Sequence, residues 1–337
     1  AAVFWATHGL RGCFIKANFQ STTVLIPPAL ATGNLDIVTD AMVREVTLNE
    51  RGLADGVIYI DKVTKQEKRA KARVVVVAAS AAESSRIFLN SKSNLFPDGL
   101  ANGSGLVGRY LMDTVGAGVG AQIPMLEDLP PHNEDGASAM HMYIPWWKYQ
   151  EQARGELNFS RGYHVELYGG RRMPSYGSFH GFERFTQGAY GVELKEAIRR
   201  YYGSFLWFEG RGEMIPNDDC FLEIDKTKVD DWGIPVPKFH WKWGQQELDQ
   251  AAHMHKSIAE IFTAMGGKLT SPIHEDGTKA IANGGTIIHE VGSLMMGDHP
   301  NKSVLNQYCQ AWEVPNVFVT DGAPFVSNAD KNPTLTI

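Results

Sequence analysis

The first third of the chain alternates apolar and polar positions at the spacing of β-strands. The segments that carry this pattern are residues 36–49, 53–63 and 71–79, and turn residues such as those at 49–52 separate them. The first two segments predict an antiparallel meander. The third contains four consecutive valines, which predicts a strand buried on both faces, as in an α/β sheet. Small residues and helical spacing at 78–91 predict a helix directly after it.

Residues from about 113 to 285 have a different character, with Gly- and Pro-rich loops between aromatic strand segments such as 203–215. Within this part, residues 245–265 place apolar side chains at helical spacing and are followed by two glycines, which predicts one amphipathic helix. The last fifty residues return to α/β character. There the apolar segment 314–325 predicts a strand that carries Asp321 to its carboxyl end.

This order of segments predicts an α/β (α+β) fold with two domains. Residues 1–112 and 286–337 form a sheet domain from both ends of the chain, and residues 113–285 form an inserted domain based on an antiparallel sheet. A length of 337 residues agrees with two domains at roughly 150 residues each. We expect both ends of the sequence to be cut, because it has neither an initial Met nor a signal peptide.

Composition and charge exclude several classes of protein. With 43% hydrophobic and 21% charged residues, the chain has the composition of a globular protein and not of a disordered or coiled-coil one. The net charge of −6, without a dense basic stripe, argues against nucleic acid as the main partner. No stretch approaches the ~20 apolar residues that a transmembrane helix needs.

The three cysteines lack the spacing of a zinc site or a disulfide scaffold; they are Cys13, Cys220 and Cys309. We therefore expect unpaired thiols and no metal.

Two patterns look like ligand sites but lack the context that such sites need. Gly103, Gly105 and Gly108 match the dinucleotide pattern GxGxxG, yet a polar, turn-rich loop precedes them where the motif requires a strand. We therefore interpret them as a loop that needs unusual backbone angles. His253 and His255 lie two residues apart on the predicted helix and so cannot share a metal ion; we expect them at the surface.

The strongest chemical signal lies in the last fifty residues. His289 opens the segment HEVGSLMMG, Asp321 and Gly322 end the segment NVFVTDG, and Asn332 opens the segment NPTLTI. A lone histidine after an apolar pair is usually a core residue. An acidic residue at a strand end can instead receive a hydroxyl or ring N–H of a bound cofactor, and the three segments in this order favour such a site.

This arrangement resembles the C-terminal signature of the glucose–methanol–choline (GMC) oxidoreductases, a family of FAD-dependent enzymes that oxidise alcohols. Residues 12–34 are similar to a segment of its sugar-dehydrogenase branch, residues 41–46 and 74–91 to its flavin-domain strands, and residues 100–113 to its next loop. The resemblance implies that the sheet domain is a Rossmann-like FAD-binding domain. The chain resembles a family member without its N-terminal GxGxxG unit.

The resemblance also implies a catalytic pair. His289 takes the hydroxyl proton of an alcohol while a hydride passes to flavin N5, and histidine suits this step because its pKa lies near the working pH. Asn332 matches the family's second catalytic position, where an amide holds the substrate oxygen. Contacts with FAD are implied for residues of the sheet domain. These are Val43 at the adenine, Asp321, Gly322, Pro333 and Thr334 at the flavin and, in addition, Ala78 and Ala79.

For the whole function, the resemblance implies oxidation of a sugar or polyol, with electrons passed to a separate cytochrome or quinone acceptor and a periplasmic or secreted location. An activity of the pyranose oxidase or glycoside 3-dehydrogenase type is a close alternative. A non-catalytic fragment without bound FAD is an alternative of a different class. The chain has no C-x-x-C-H haem motif, so such a cytochrome would be a separate polypeptide.

Overall fold

The computed structural model describes residues 19–129, 142–170, 186 and 188–337; Cys13 lies outside these ranges. The described helices, after a π-helical turn at Ser21–Leu25, are α1 (Ile26–Ala31), α2 (Ala81–Asn90), α3 (Tyr149–Ala153), α4 (Gly191–Tyr201), α5 (Gln245–Ala264) and α6 (Gly277–Ala280). The described strands are β1 (Ala41–Leu48), β2 (Ala54–Asp61), β3 (Glu67–Lys71), β4 (Val75–Val77), β5 (Arg109–Met112), β6 (Val115–Gln122), β7 (Met142–Ile144), β8 (Tyr163–Gly169), β9 (Phe205–Gly212), β10 (Phe221–Val229), β11 (Pro235–His240), β12 (Lys268–Leu269), β13 (Val291–Ser293) and β14 (Val317–Val319).

The predicted mixed α/β fold is confirmed. Its parallel pair of strands joins the first part of the chain to the last. Strands β1 and β2 pair antiparallel as expected, and β3, which the sequence did not predict, adds a third antiparallel strand. Strand β4 pairs in parallel with β14, with Val75 opposite Val317, and α2 follows β4 as predicted. The prediction that β4 is buried on both faces is wrong, because Val76 is 57% exposed. Val75 and Val77 face the core with α2, whereas no element among the described residues covers the other face.

The middle of the chain forms a five-stranded antiparallel sheet in the order β12-β6-β9-β8-β7. Helix α5 packs its apolar side chains, among them Met254, Ile258 and Phe262, against one face of this sheet. Side chains alternate along a strand, so Tyr163 and Val165 of β8 lie in that core, whereas His164 and Glu166 lie on the opposite face. The site described below involves this opposite, polar face of the sheet.

A fourth sheet, of four antiparallel strands in the order β11-β10-β5-β13, joins these parts. Strand β13 follows His289, and β5 precedes Asp113, so the sheet fixes both residues relative to one another. Strands β10 and β11 fall within the predicted inserted domain but contact α2 of the sheet domain. The domain boundaries themselves stay a prediction.

Other expectations have mixed outcomes. The loop interpretation of the GxGxxG segment is confirmed: Gly105 and Gly108 have φ of +72° and +86°, and a Cβ on Gly108 would lie 2.3 Å from the Leu222 carbonyl oxygen. The prediction of surface histidines is wrong. His255 is 4% exposed and accepts a hydrogen bond from the His274 backbone N–H, because residues 270–276 cover that side of α5.

Cys220 and Cys309 are free thiols, as expected. Across the described ranges, no three or more His, Cys, Asp or Glu side chains are grouped as metal ligands would be. In the same part of the chain, no helix combines the length and apolar character needed to cross a membrane.

The Arg86 guanidinium joins α2 to the turn before β11, and its removal is expected to destabilise the fold. Its Nη2 donates to Asp230 Oδ2 at 2.7 Å and its Nε to the Pro235 carbonyl oxygen at 2.8 Å, with the two charged side chains only 8% and 14% exposed. Breaking a buried pair from one side costs about 3–5 kcal/mol, so Arg86→Ala should lower the free energy of unfolding by that amount in urea titration.

Arg69→Ala is the matched control for this prediction. Arg69 pairs with Asp55 at 2.6 Å, but these side chains are 43% and 32% exposed. Exposed pairs contribute about 0–1 kcal/mol, so the control should unfold near the wild-type midpoint. Equal losses in both variants would contradict the structural role given to Arg86.

Candidate active site

The backbone around His289 is held by a buried carboxylate. Asp113, which follows β5, is fully buried, and its Oδ1 accepts from the backbone N–H of Thr114 at 2.8 Å and of His289 at 3.0 Å. Its Oδ2 accepts from the Gly285 N–H at 3.1 Å. Burial raises the pKa of Asp113 even though these N–H groups oppose the shift. The carboxyl group therefore fixes both ends of the loop that precedes β13.

The residue before the histidine is strained. Ile288 has φ of +60° and is 76% exposed, in a region that a β-branched side chain rarely adopts. Such a conformation costs about 1–3 kcal/mol and persists only where surrounding contacts determine it. Here the hydrogen bonds of Asp113 to both sides of the loop supply that constraint.

The imidazole of His289 has one polar neighbour at each ring nitrogen. Thr114 Oγ1 lies 3.2 Å from Nδ1, and Asn332 Nδ2 lies 3.3 Å from Nε2. An amide nitrogen only donates, so Nε2 must carry the lone pair and the neutral ring must carry its proton on Nδ1, where Thr114 accepts it. The contacts thus select the tautomer whose basic atom faces Asn332.

The charge environment keeps His289 neutral at pH 7. Burial is the main cause that lowers its pKa, and the Arg211 guanidinium on β9 and the His164 imidazole on β8 act in the same direction. The carboxylates of Glu166 and Glu290 oppose this shift without reversing it. A half-buried, neutral imidazole with an accessible lone pair is the form in which histidine acts as a proton acceptor.

The closing segment, residues 328–337, contacts His289 at two residues, Asn328 and Asn332. Asn332 is exposed and precedes a 3₁₀ turn at Pro333–Leu335. Four residues earlier, Asn328 is 1% exposed and donates from Nδ2 to the His289 carbonyl oxygen at 3.2 Å. The two predicted catalytic residues, far apart in sequence, are therefore in contact, while their catalytic roles stay predictions.

The predicted cofactor residues Ala78, Ala79, Asp321 and Gly322 lie at the carboxyl ends of the parallel strands β4 and β14. Ala78 and Ala79 are exposed and small. Asp321 Oδ2 accepts from the Ser80 N–H at 3.0 Å and from the Ser84 hydroxyl, and its Oδ1 accepts from the Ala323 N–H at 2.8 Å. The carboxylate therefore ties the two strand ends together and leaves the backbone and small side chains beside it open.

A cavity of about 430 Å³ adjoins these strand ends, a volume typical of cofactor sites. Its walls include Thr320 and Asp321 from the end of β14 and Thr336 and Ile337 from the closing segment. Gly322 and Pro333 are buried, and Thr334 is exposed on the 3₁₀ turn. Of the predicted FAD residues, Asp321 alone is among those that line this cavity. Val43 lies half-buried on β1 and packs against the core with α2. The small residues, open strand ends and cavity size fit one part of a flavin nucleotide.

Several residues that shape this site carried no sequence signal. Asp113, Thr114 and Asn328 touch His289 from segments more than thirty residues away in sequence. Arg211 lies on a strand whose aromatic pattern indicated only sheet packing. A buried polar residue directly after an apolar strand, as in the segment RYLMDT, is the one pattern that points to Asp113.

Comparisons with known proteins agree with this geometry. Two family models, both described as GMC oxidoreductase, match residues 6–113 and 216–337. The chain is 29% identical over 311 residues to 2-methyl-1,2-propanediol dehydrogenase of Mycolicibacterium austroafricanum, a match that covers 92% of this chain and 53% of that protein. It is 26% identical over 308 residues to the fructose dehydrogenase large subunit of Gluconobacter japonicus, covering 89% and 51%.

Among solved structures, the formate oxidase of Aspergillus oryzae RIB40, in a structure that concerns its FAD modification, is similar with a TM-score of 0.62. The sequence identity is 13%, and the match covers 90% of this chain and 59% of that one. This likeness concerns the fold. The chain spans about half the length of the curated relatives that it matches.

Proposed function

Because the chain belongs to the GMC oxidoreductase family, we propose that the protein containing it oxidises an alcohol group of a sugar or polyol with FAD as cofactor. The observation that carries this proposal is the contact between His289 Nε2 and Asn332 Nδ2 at 3.3 Å, at a neutral imidazole of defined tautomer. The two relatives named for a diol and for fructose support the substrate class.

His289 is the proposed proton acceptor. Its Nε2 carries the lone pair, so a substrate hydroxyl that displaces the Asn332 amide from Nε2 can donate its proton there. Thr114 Oγ1 then keeps the Nδ1–H in place as the ring becomes an imidazolium. The nearby carboxylates of Glu166 and Glu290 favour this charged form. The imidazole is thus neutral before the reaction. Once it is protonated, the two carboxylates offset part of its positive charge.

Asn332 is proposed to orient the substrate. An amide cannot act as a base at this pH, but its N–H and carbonyl groups can hydrogen-bond the alcohol oxygen and hold it beside Nε2. Its exposed side chain is accessible to a substrate, while Asn328 fixes the segment that carries it.

The proposed FAD contacts involve the strand ends and the closing turn. When bound, FAD supplies the acceptor for the hydride that leaves the carbinol carbon. The residues that would hold it, mainly through backbone and small side chains, are Asp321 in the cavity wall, Ala78, Ala79 and Gly322 at the strand ends, Pro333 and Thr334 on the closing turn, and Val43 on β1.

The pH dependence of the reaction tests the base assignment. Since burial and Arg211 lower the pKa of His289, its neutral form should persist below pH 6.5, the ordinary pKa of histidine. We expect kcat/KM to fall on the acid side with a midpoint below about 6.5, because kcat/KM reports the free enzyme. An acid midpoint above that value would contradict the environment described for His289.

The proposed function is tested first by the visible spectrum of the purified protein with FAD. Flavin bands that bleach when fructose or a short diol is added without oxygen support it. Subsequent consumption of oxygen would indicate an oxidase, as in the pyranose oxidase alternative, whereas reoxidation only by a quinone or cytochrome would indicate a dehydrogenase. A protein that contains the full family unit yet never binds FAD would favour the non-catalytic alternative.

A further inference from the structure

The segment that carries Asn332 has a third attachment, halfway between its two contacts with His289. Asp330 lies between Asn328 and Asn332, and its Oδ2 is 3.2 Å from Nδ1 of His164. The Asp330 side chain is 20% exposed, so only part of the carboxylate faces water. This contact ties the closing segment to the five-stranded sheet of the middle of the chain.

His164 is placed on the polar face of that sheet. It stands on β8 between Tyr163 and Val165, both of which point into the core under α5, so its own side chain lies on the opposite face. It is fully buried, and its Nε2 lies 3.5 Å from Glu166 Oε1. Since carboxylates face both ring nitrogens, only the imidazolium can donate to both of them.

Charged side chains of both signs surround His164 in the described part of the chain. They and the neighbouring rings lie on four elements: the Tyr143 ring on β7 at 5.0 Å, Glu166 and Tyr168 on β8, Glu209 and Arg211 on β9, and Asp330 and Lys331 on the closing segment. Glu213, directly after β9, also acts on Asp330, and His164 acts on His289. Arg211 binds both Glu166 and Glu209, and Lys331 binds Asp330. Among the described residues, the protonated His164, Arg211 and Lys331 therefore each lie beside a carboxylate, which offsets part of the cost of burying these charges.

The pKa directions agree with an ion pair. Burial by itself lowers the pKa of His164, but the hydrogen bonds to Asp330 and Glu166 outweigh it and raise the pKa above 6.5. Burial raises the pKa of Asp330, while His164 and Lys331 outweigh that effect and lower it. Both shifts favour the charged form of the group, as the two contacts of the His164 ring do.

We propose that the His164–Asp330 ion pair positions Asn332 against the imidazole of His289, so that His164 is a positioning residue which acts through Asn332. This inference rests on the proposed function of the His289–Asn332 pair. Asn328 fixes the segment four residues before Asn332, through its side chain on His289 and a backbone bridge to Met214, and the buried Pro333 follows Asn332. The Asp330 contact holds the segment between these points, two residues before Asn332, and so limits the direction of the amide. Misplacement by about 1 Å is sufficient to slow an oriented reaction.

The test is a cycle of substitutions in the FAD-containing enzyme, with flavin reduction measured by anaerobic stopped flow. Asp330→Ala is expected to lower the maximal reduction rate roughly tenfold, with little change in substrate affinity, because the base remains and only orientation is lost. On the Asn332→Ala background the same substitution should have no further effect, since the pair acts through that amide. His164→Gln, which keeps a donor in the buried position, should retain more of the rate than Asp330→Ala.

The pH profile provides a second readout. The contribution of the pair is fully present below pH 6.5 and is lost as the pH rises through the raised pKa of His164. The wild-type reduction rate should therefore decline on the alkaline side, and this decline should be absent in Asp330→Ala. His240→Gln is the matched control, because His240 also pairs with a carboxylate, Glu223 at 3.0 Å, but on the exposed strand β11.

A measurement independent of turnover separates this inference from the proposed function. In ¹⁵N-histidine-labelled protein, Asp330→Ala should shift the Nε2 resonance of His289, because the Asn332 amide no longer donates to it steadily. The positioning role is overturned if the His289 Nε2 resonance is the same in Asp330→Ala as in the wild type. It is also overturned if Asp330→Ala slows flavin reduction equally in the wild type and in the Asn332→Ala variant. If the resonance shifts while His289→Ala still reduces flavin normally, the positioning role stands and the proposed function fails.

Discussion

Replacement of His289 by Ala is expected to lower the rate of flavin reduction by an alcohol roughly 10²- to 10⁴-fold, the range that general base catalysis contributes. The side chain that is lost provides the lone pair on Nε2, which the contacts with Thr114 and Asn332 direct toward the Asn332 amide. Asp113 holds this loop through the backbone of residue 289, which alanine retains. The loss should therefore be chemical and not structural.

Stopped-flow absorbance under anaerobic conditions measures this rate directly. FAD content and the thermal unfolding midpoint of His289→Ala should stay close to those of the wild type. His240→Ala is a suitable control, because it removes an equally large imidazole from the exposed face of β11. Near-normal reduction by His289→Ala would rule out the base assignment even if the family membership stands.

Replacement of Asn332 by Ala is expected to slow reduction by roughly tenfold to a hundredfold, less than the loss of the base, because orientation is lost while proton acceptance remains. Its amide is the only side chain that contacts His289 Nε2 among the described residues. Asn332→His should retain more activity than Asn332→Ala, since an imidazole can also hydrogen-bond the alcohol oxygen.

A charged substitution of Asn332 distinguishes its role in orienting the substrate from an effect of side-chain size. Asn332→Asp places a carboxylate beside Nε2, which raises the pKa of His289, so the acid limb of kcat/KM should move to higher pH. Asn301→Ala, in the exposed loop after β13, is the control and should leave both rate and pH profile unchanged. An Asn332→Ala enzyme that reduces flavin at the wild-type rate would contradict the orienting role.

The elements that the sequence predicted well are those whose patterns are local. The meander of β1 and β2, the helix α2 after the valines and the amphipathic helix α5 each follow from periodicity within one segment. The position of Asp321 at the end of β14 follows from one apolar run. By contrast, Val76 was expected to be buried, and a strand pattern does not say which of its faces another element covers.

The contacts that complete the candidate site could not be predicted, because they join segments that are distant in sequence. Asp113 reaches His289 across 176 positions and His164 reaches Asp330 across 166. Asp113 ends a segment that resembles a loop of the family, but nothing in that segment points to His289, and His164 is a polar residue in a segment that otherwise predicts a strand. Only the folded sheet order brings β8, β9 and the closing segment onto one face.

The GxGxxG segment shows how context decides what a motif means. Its loop binds a carboxylate of its own chain, since the Gly103 N–H donates to Glu313 Oε2 at 2.8 Å. A carboxylate in that position uses the same backbone donor that a phosphate would need. The polar loop before the glycines was the sequence feature that distinguished this structure from a nucleotide site.

The central claim is that the contact between His289 and Asn332 supports alcohol oxidation at a flavin. The most direct test is the anaerobic bleaching of the flavin bands in the protein that carries this chain, purified with FAD and mixed with a panel of sugars and short diols. We predict that at least one of these alcohols bleaches the wild-type flavin within seconds to minutes and that His289→Ala, with the same FAD content, stays oxidised. Full FAD occupancy without bleaching by any of them, or equal bleaching of the variant, would contradict the account.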